Sequence, residues 1–358
     1  MVGVGRLGIC FALTLERAGY DVLGVDISPD YVKQINTKEL KSDEQDVEEY
    51  LQASNNFRAT VDFQEGLEHS DVLYVVVATP SLPDGRYDHR QLDAVVSQLV
   101  ALKQATTVEK HFVICSTTMP GYCDTVQERL SELGYVVSYN PEFIAQGTIL
   151  RDQANPDMVL IGEGSTPAGD ILQEMYENMT VSTPAIHRMS RTEAEITKIS
   201  LNCFLTTKIA YANMVGDIVT KAGGNPDMVL SAIGAESRVG SKYLRYGFGY
   251  GGPCFPRDNR ALALYAADLG IDALISKASD ESNREHLKFQ VEECTAASLE
   301  MPFVTYKPES TILTESQQLA YAVGLAQRGV KVHIKERATV IERVREVYGS
   351  LFTYEERK

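Results

Sequence analysis

The sequence predicts an α/β protein: a doubly wound parallel sheet, then a helical middle domain on one long helix, then a second, shortened α/β domain. Three observations predict it. Short apolar runs alternate with amphipathic segments through the first half of the 358 residues. A glycine-rich turn, "VGVGRLG", stands at residues 2–8. Beyond residue 190 the pattern becomes almost wholly helical until Pro302. On this basis the domains are expected to span 1–190, 191–298 and 299–358.

The turn carries Gly3, Gly5 and Gly8 in G-x-G-x-x-G spacing. The first glycine permits the tight turn, the second lets backbone approach a pyrophosphate, and the third lets the following helix, expected over 6–18, pack on the strand. The N-terminus of that helix presents free N–H groups and a positive dipole end to the phosphates. Only Met1 and Val2 precede Gly3, so the first strand of the sheet is expected to be badly shortened. The next strand, "DVLGVDI" (21–27), carries Asp26 near its end, placed to meet a ribose hydroxyl and to repel a 2′-phosphate. A Rossmann-type domain that binds NAD rather than NADP is the expectation.

The acidic stretch "SDEQDVEEY" (42–50) reads as a solvated helix face. "DVLYVVVATP" (71–80), "HFVICST" (111–117), "YVVSYNP" (135–141) and "MVLIG" (158–162) read as strands. Their near-continuous Val, Leu and Ile content suits strands of a parallel sheet buried on both faces. Helical patterns over 90–103 and 121–133 lie between them. From Arg191 to Lys221 one helical pattern runs without proline, Gly216 being its one interior breaker. Its apolar residues, Ile196, Ile199, Phe204, Leu205, Ile209 and Val215, fall on several faces and require burial on several sides, which predicts a homodimer built on this helix. Further helices are expected over 226–233, 257–269 and 274–297. After Pro302 the α/β pattern resumes with "FVTYKP", a helix over 315–328, the strand "VKVHI" (330–334) and a final helix.

Hydrophobic residues make up 44% and charged residues 23%, as in an ordinary globular protein. No apolar run has the length of a membrane span and no signal segment is recognisable, so a cytoplasmic protein without a membrane partner is expected. The formal charge of −15 argues against nucleic acid as a partner. The six cysteines form no CxxC pair, which predicts reduced thiols and no metal site. One of them stands apart. In "YGFGYGGPCFPRD" (246–258), Cys254 follows four glycines and Pro253. A free cysteine is most often a buried packing residue; this one is framed for access, as a nucleophile must be.

Several segments in shared order resemble the nucleotide-sugar dehydrogenases, the family that includes the UDP-glucose and GDP-mannose 6-dehydrogenases. They include "VATPSLPDGRYD", "CSTTMPG", "NPEFIAQGTILRD", "EITKISLNCFLTTKIAYAN", "SRVGSKYL", "GFGYGGPCFPRD" and "TYKPESTILTES". The resemblance implies an N-terminal NAD domain, a long central helix that builds a dimer, and a C-terminal domain that holds the nucleotide of the substrate. It implies oxidation of a sugar C6 alcohol to the carboxylate with two NAD⁺, through a thioester on Cys254. It implies that Lys198 and Asn202 stabilise the developing alkoxide, that Asp258 works with a water as general base, that Thr117 holds that water and touches the cofactor, and that Glu142 assists thioester hydrolysis. By matched position Thr79 joins Gly3, Gly5, Gly8, Asp26 and Thr117 in the cofactor set. Arg238, reaching the neighbouring subunit's substrate, joins Lys242, Tyr243, Gly251 and Lys307, with Glu142, Lys198 and Asn202, in the substrate set.

The chain departs from the family pattern at Pro253, at Arg257 (usually lysine), at Gln146 (usually glutamate), at Met214 and at Thr314 (usually arginine). The C-F-P-basic-D form points to UDP-glucose. The alternatives are GDP-mannose, a UDP-N-acetylhexosamine, or a non-catalytic paralogue that only binds nucleotide.

Overall fold

A computed structural model describes residues 1–102, 108–308 and 310–357. Its contacts divide the chain into two units, Met1–Lys198 and Ile199–Lys358.

The first unit holds strands β1 (Val22–Val25), β2 (Phe57–Thr60), β3 (Val72–Val75), β4 (Lys110–Ile114), β5 (Tyr135–Tyr139), β6 (Met158–Gly162) and β7 (Ala185–Met189). β1 pairs with β2, and the rest run in the order β3-β4-β5-β6-β7. The shortened first strand joins the two groups: Val2 makes parallel bridges to both Val25 and Val75. The helix Arg6–Arg17 leaves directly from it. The sheet is buried on both faces, as the apolar runs required. Phe11, Leu13, Val113 and Ile161 belong to one core; Val75, Leu92, Phe112, Val126 and Val137 belong to the other.

Three features differ from the expectation. The strand at 158–162 is present, but β6 meets β5 antiparallel, through Tyr139 and Gly162, and β7 then runs parallel to β6. The connection between β5 and β6, which carries the helix Ile149–Ala154, therefore returns the chain to the same end of the sheet. The stretch 42–50 is not one solvated helix face. The helix starts at Val47, and Glu44 is buried, accepting the Gly147 N–H at 2.6 Å with Arg6 at 3.6 Å. β2 and β7 carry no long apolar run, because one alternates in burial and the other is largely open. The helix expected over 90–103 runs Arg90–Leu102, position 103 lying outside the described residues.

The boundary between units falls inside the helix Arg191–Lys221. The second unit adds helices Pro226–Ala235, Phe255–Asp268 and Leu274–Glu293. It ends in a parallel sheet of order β10-β9-β8, from β8 (Ser298–Met301), β9 (Lys331–Glu336) and β10 (Thr353–Glu356), with helices Gln317–Gln327 and Ala338–Tyr348. "FVTYKP" is not a strand. The strand comes before Pro302, which has no N–H to give a ladder. On the long helix Ile199 is buried, whereas Phe204, Tyr211, Met214 and Ile218 are 44–62% exposed.

The start of the chain is itself inside the fold. The Met1 amine donates to Leu23 O at 2.8 Å, and burial lowers its pKa from 8.0 to about 5. Between those values the unfolded chain binds a proton that the folded chain does not. Stability is therefore expected to rise with pH across this window, by at most ~4 kcal/mol. Glu142 and Glu195, whose carboxyls burial pushes up, act with the opposite sign just above the usual carboxylate range. The check is a pair of urea denaturation series from pH 5 to 8, on this chain and on one with a Gly-Ser extension that moves the amine into solvent. Identical pH slopes would contradict a buried neutral amine.

Candidate functional site

The glycines of the opening turn have different reasons to be glycine. Gly3 has φ +83°, and a Cβ there would lie 2.5 Å from Val76 O. At Gly8 it would lie 2.1 Å from Gly3 O, so the helix can sit on the turn only without a side chain. Gly5 caps the helix, is exposed, and has nothing within 4 Å of its Cβ position. The first-turn N–H groups are thereby open to a pyrophosphate, and no acidic residue stands in that turn to repel it. Asp26 follows β1 and is fixed by the N–H groups of Val4 (3.2 Å) and Ser28 (3.1 Å). Thr79 donates to Thr117 O at 2.8 Å, and Ser116 to Val77 O at 2.6 Å, tying the segments that follow β3 and β4. These lie at the carboxyl ends of the strands, where open α/β sheets bind their ligands. The residues present fit a dinucleotide.

Beside this edge the structure brings Glu142 and Lys198 together. The Lys198 ammonium donates to the Glu142 main-chain carbonyl and lies 4.2 Å from the centre of the Phe143 ring. The Tyr176 hydroxyl lies 2.8 Å from Glu142 Oε1 and 2.9 Å from Asn140 Oδ1. Burial raises the Glu142 pKa, against the opposing pull of Tyr176 and the Lys198 charge. The start of the long helix is held by Glu195, which is fully buried and accepts from Gly121 N (2.7 Å), Cys123 N (3.0 Å) and the Thr118 hydroxyl (2.8 Å). Lys198 is one turn further along.

In the second unit Cys254 caps the helix Phe255–Asp268. It is the one exposed thiol of the six; Cys10, Cys115, Cys123 and Cys203 are buried. Burial pushes the Cys10 thiol up to about 12 and those of Cys115, Cys123 and Cys203 up as well, which disarms them. Cys254 instead stands exposed at the N-terminal end of its helix. Asp258, one turn on, is 1% exposed and donates its backbone N–H to Cys254 O at 2.9 Å. Its carboxylate accepts from Asn202 Nδ2 at 2.6 Å and Arg257 Nε at 3.3 Å. Asn202 and Asp258 thus meet one helical turn from Cys254, and the departure at Arg257 keeps a cation on the carboxylate.

The glycines before the cysteine are pressed against other backbone. A Cβ on Gly251 would lie 2.2 Å from Glu315 O; Gly252, at φ +81°, would meet the Tyr306 ring at 2.5 Å. Lys307 adjoins that ring, its ammonium 5.6 Å from the centre. Thr314 accepts the Gly252 N–H through its carbonyl at 3.1 Å. Tyr243 turns an edge to Phe255, centroids 6.2 Å apart. Lys242 and Arg238 are exposed, Arg238 paired with Glu236 at 2.9 Å; neither is brought to the cysteine by a described contact.

A set of polar residues that the sequence did not single out fixes the segment leading to Cys254. His286, 2% exposed, places Nδ1 2.9 Å from both Asp217 oxygens and Nε2 2.6 Å from Gly247 O. Tyr246 donates to Asp217 at 2.9 Å. Asn213 accepts the Gly247 N–H at 3.1 Å, and Asn283 both accepts from Tyr250 N and donates to Tyr250 O at 2.9 Å. Gly216 is glycine because a Cβ would lie 1.9 Å from the Tyr246 ring. The available signal was spacing: Asn213–Asp217 and Asn283–His286–Gln290 repeat one helix face. His286→Ala would leave the Asp217 carboxylate and the Gly247 carbonyl short of a buried donor. It is expected to cost ~2–4 kcal/mol in urea denaturation.

A glycine turn opening a helix at the carboxyl edge of a doubly wound sheet, with a carboxylate after the next strand, defines an NAD-binding α/β oxidoreductase fold. The chain matches the NAD-binding domain of the UDP-glucose/GDP-mannose dehydrogenase family over residues 1–180 and the family's central domain over 192–285. It belongs to that family, whose members are nucleotide-sugar 6-dehydrogenases that use NAD. It is 29% identical to the GDP-mannose 6-dehydrogenase of Pseudomonas putida, over 96% of this chain and 81% of that one. It is also 29% identical to a UDP-glucose 6-dehydrogenase of Pseudomonas aeruginosa, over 93% and 77%. A solved UDP-glucose dehydrogenase of Pyrobaculum islandicum superposes with a TM-score of 0.89 at 28% identity, covering 99% of this chain and 85% of that one. Among the described residues no helix is long and apolar enough to cross a membrane, and no group of His, Cys, Asp and Glu could hold a metal ion.

Proposed function

We propose that the protein oxidises UDP-glucose to UDP-glucuronate, with Cys254 as covalent carrier. The observation that carries this reading is the exposed Cys254 thiol at a helix N-terminus, with the buried Asp258 carboxylate one turn on and Asn202 bonded to it. NAD⁺ held by the glycine turn and Asp26 would supply the hydride acceptor, a fresh NAD⁺ for each of the two oxidations. In the first, Lys198 and Asn202 stabilise the C6 alkoxide, while Asp258 takes the hydroxyl proton through a water held by Thr117. The aldehyde has no hydride to release until something adds to it. The Cys254 thiolate adds to C6, and the thiohemiacetal loses hydride and a proton to become a thioester. Water, assisted by Glu142, then cleaves the C–S bond, giving the carboxylate and the free thiol. Burial raises the Glu142 pKa, which suits a group that must both take and return a proton.

Gly3, Gly5, Gly8, Asp26 and Thr79 hold the cofactor; Lys242, Tyr243, Gly251 and Lys307 hold the substrate. The UDP-glucose choice is supported by the C-F-P-basic-D form at residues 254–258. The test is NADH absorbance with UDP-glucose, GDP-mannose and UDP-N-acetylhexosamines in turn, with NAD⁺ or NADP⁺. Turnover is expected with UDP-glucose and NAD⁺, and two NADH per sugar. Preference for GDP-mannose would overturn the substrate; no turnover with any sugar would favour a binding paralogue.

The same reading assigns a homodimer. Phe204, Tyr211, Met214 and Ile218 recur at seven-, three- and four-residue steps, forming one exposed apolar stripe on the long helix. Arg238, solvated in this chain, would act across the interface. Light scattering at micromolar concentration is expected to give twice the 39.5 kDa chain mass; a monomer would contradict it. We retain domains of 1–190, 191–298 and 299–358, and a cytoplasmic location, as part of this proposal.

A further inference from the structure

Behind Glu142, within the first unit, two tyrosines and an asparagine form a buried polar group. The Tyr176 hydroxyl lies 2.8 Å from Glu142 Oε1 and 2.9 Å from Asn140 Oδ1. The Tyr74 hydroxyl lies 3.1 Å from the same Asn140 oxygen. Asn140 is fixed in orientation, because its Nδ2 donates to Leu160 O at 2.9 Å and so turns Oδ1 to the two hydroxyls. Tyr74, Asn140 and Tyr176 are all buried. Burial pushes both tyrosine hydroxyls well above their ordinary range, so each keeps its proton. Tyr176 thus has one proton and two acceptors, an amide oxygen and a carboxylate oxygen, and neither can donate while Glu142 is ionised. A protonated Glu142 can donate to the Tyr176 oxygen, which releases the tyrosine proton to Asn140. Rotation of the hydroxyl about its C–O bond exchanges the two arrangements with no heavy atom displaced. Packing holds the rings for this: the Phe11 ring lies 5.1 Å from that of Tyr74 and 6.3 Å from that of Tyr176, centre to centre.

We propose that Tyr176 is a positioning residue for Glu142, its hydroxyl turning its proton to the carboxylate when Glu142 is ionised and to Asn140 when Glu142 is protonated. This rests on the reading of Glu142 in thioester hydrolysis, where the carboxyl takes a proton from water and returns it. No proton leaves Tyr176 in either step; the O–H bond stays whole and changes only its acceptor. The hydroxyl thereby supports both forms of Glu142, and Tyr74 sets the balance between them by giving Asn140 a donor of its own. The other groups that face Glu142 do not change partner with its charge. The Lys198 ammonium donates to the Glu142 main-chain carbonyl and favours the charged carboxylate. Cys115, which follows β4, is buried with its thiol pushed up and stays neutral. Asp152 and Gln153 line the same small cavity as Glu142; Asp152 accepts from Ala145 N at 3.0 Å and from the Thr148 hydroxyl at 2.9 Å.

The experiment reads Glu142 itself, in the full chain without substrate. The C=O stretch of its protonated form is followed by infrared difference spectroscopy between about pH 4 and 9, and is identified by its loss in Glu142→Gln. Tyr176→Phe removes the donor to the carboxylate and keeps the ring. It is expected to raise the Glu142 midpoint by at least about one pH unit. Tyr74→Phe acts one step removed: Asn140 then draws the Tyr176 proton, and the midpoint should rise by a smaller amount. In the Tyr176→Phe background Tyr74→Phe should add nothing, a coupling that general loosening of the core would not produce. A Glu142 midpoint unmoved in Tyr176→Phe would overturn the proposal, as would equal effects of Tyr74→Phe with and without the Tyr176 hydroxyl. Should Tyr176→Phe fail to fold, an unmoved midpoint in Tyr74→Phe alone overturns it. The acid limb of the kcat profile separates this inference from the reading beneath it. A midpoint that rises while that limb stays in place keeps Tyr176 on Glu142 and removes Glu142 from hydrolysis.

Discussion

Cys254→Ala is expected to abolish formation of the carboxylate, lowering steady-state NADH production with UDP-glucose by at least ~10³-fold, the scale on which loss of a covalent nucleophile is felt. The reason is chemical. Alanine leaves the first oxidation its alkoxide stabilisers but gives the aldehyde nothing to add to, so no second hydride can leave. The substitution is mild structurally, because the thiol is exposed and the cap it forms on Phe255–Asp268 makes no side-chain hydrogen bond to the helix. Unfolding curves of variant and parent should therefore superpose while activity is lost. A variant that kept more than a tenth of the parent rate would remove Cys254 from the mechanism.

Lys198→Ala is expected to lower kcat by ~10²–10³-fold, the usual cost of removing one preorganised donor from a developing oxyanion. The two variants should differ in kind. Losing Lys198 slows the first oxidation, so little aldehyde forms; losing Cys254 stops the second. Single-turnover traces of NADH separate them: Lys198→Ala slow from the start, Cys254→Ala limited to one equivalent. The Lys198 ammonium now rests on the Glu142 carbonyl and the Phe143 ring, so its removal also frees the segment bearing Glu142. Lys198→Arg keeps the charge with different reach and geometry. Rescue by arginine in stability but not in kcat would assign the loss to chemistry rather than to that anchoring.

The parts of the fold that could be read in the sequence are those whose physics is local. The bounds of the helix Arg191–Lys221 are legible because an unbroken helical pattern without proline is a property of neighbouring residues. The opening turn was legible because each glycine answers a different steric demand. β2, β7 and β10 were not legible, since each is half-exposed or exposed and lacks a continuous apolar run. The reversal at β6 is a matter of pairing direction, and an apolar run reads the same for a parallel and an antiparallel strand. At the candidate site the sequence marked Cys254 by its glycine frame. It could not show that Asn202 and Asp258, 56 residues apart, are hydrogen-bonded. Nor could it show that Asp217 and His286, 69 apart, fasten the loop before the cysteine. Glu44 read as one more solvated acid because its partner Gly147 lies 103 residues away.

The central claim is a covalent bond between Cys254 and the sugar C6, and trapping that bond tests it most directly. In Cys254→Ser the hydroxyl can still add to the aldehyde and lose hydride, but the resulting ester hydrolyses more slowly than the thioester. The variant is mixed with NAD⁺ and UDP-glucose, quenched, and weighed intact. The account predicts a chain heavier by one nucleotide-sugar acyl group, located on residue 254 by peptide mapping and absent from Cys254→Ala. Cys254→Ala releasing two NADH per UDP-glucose, with no adduct on Cys254→Ser, would contradict it.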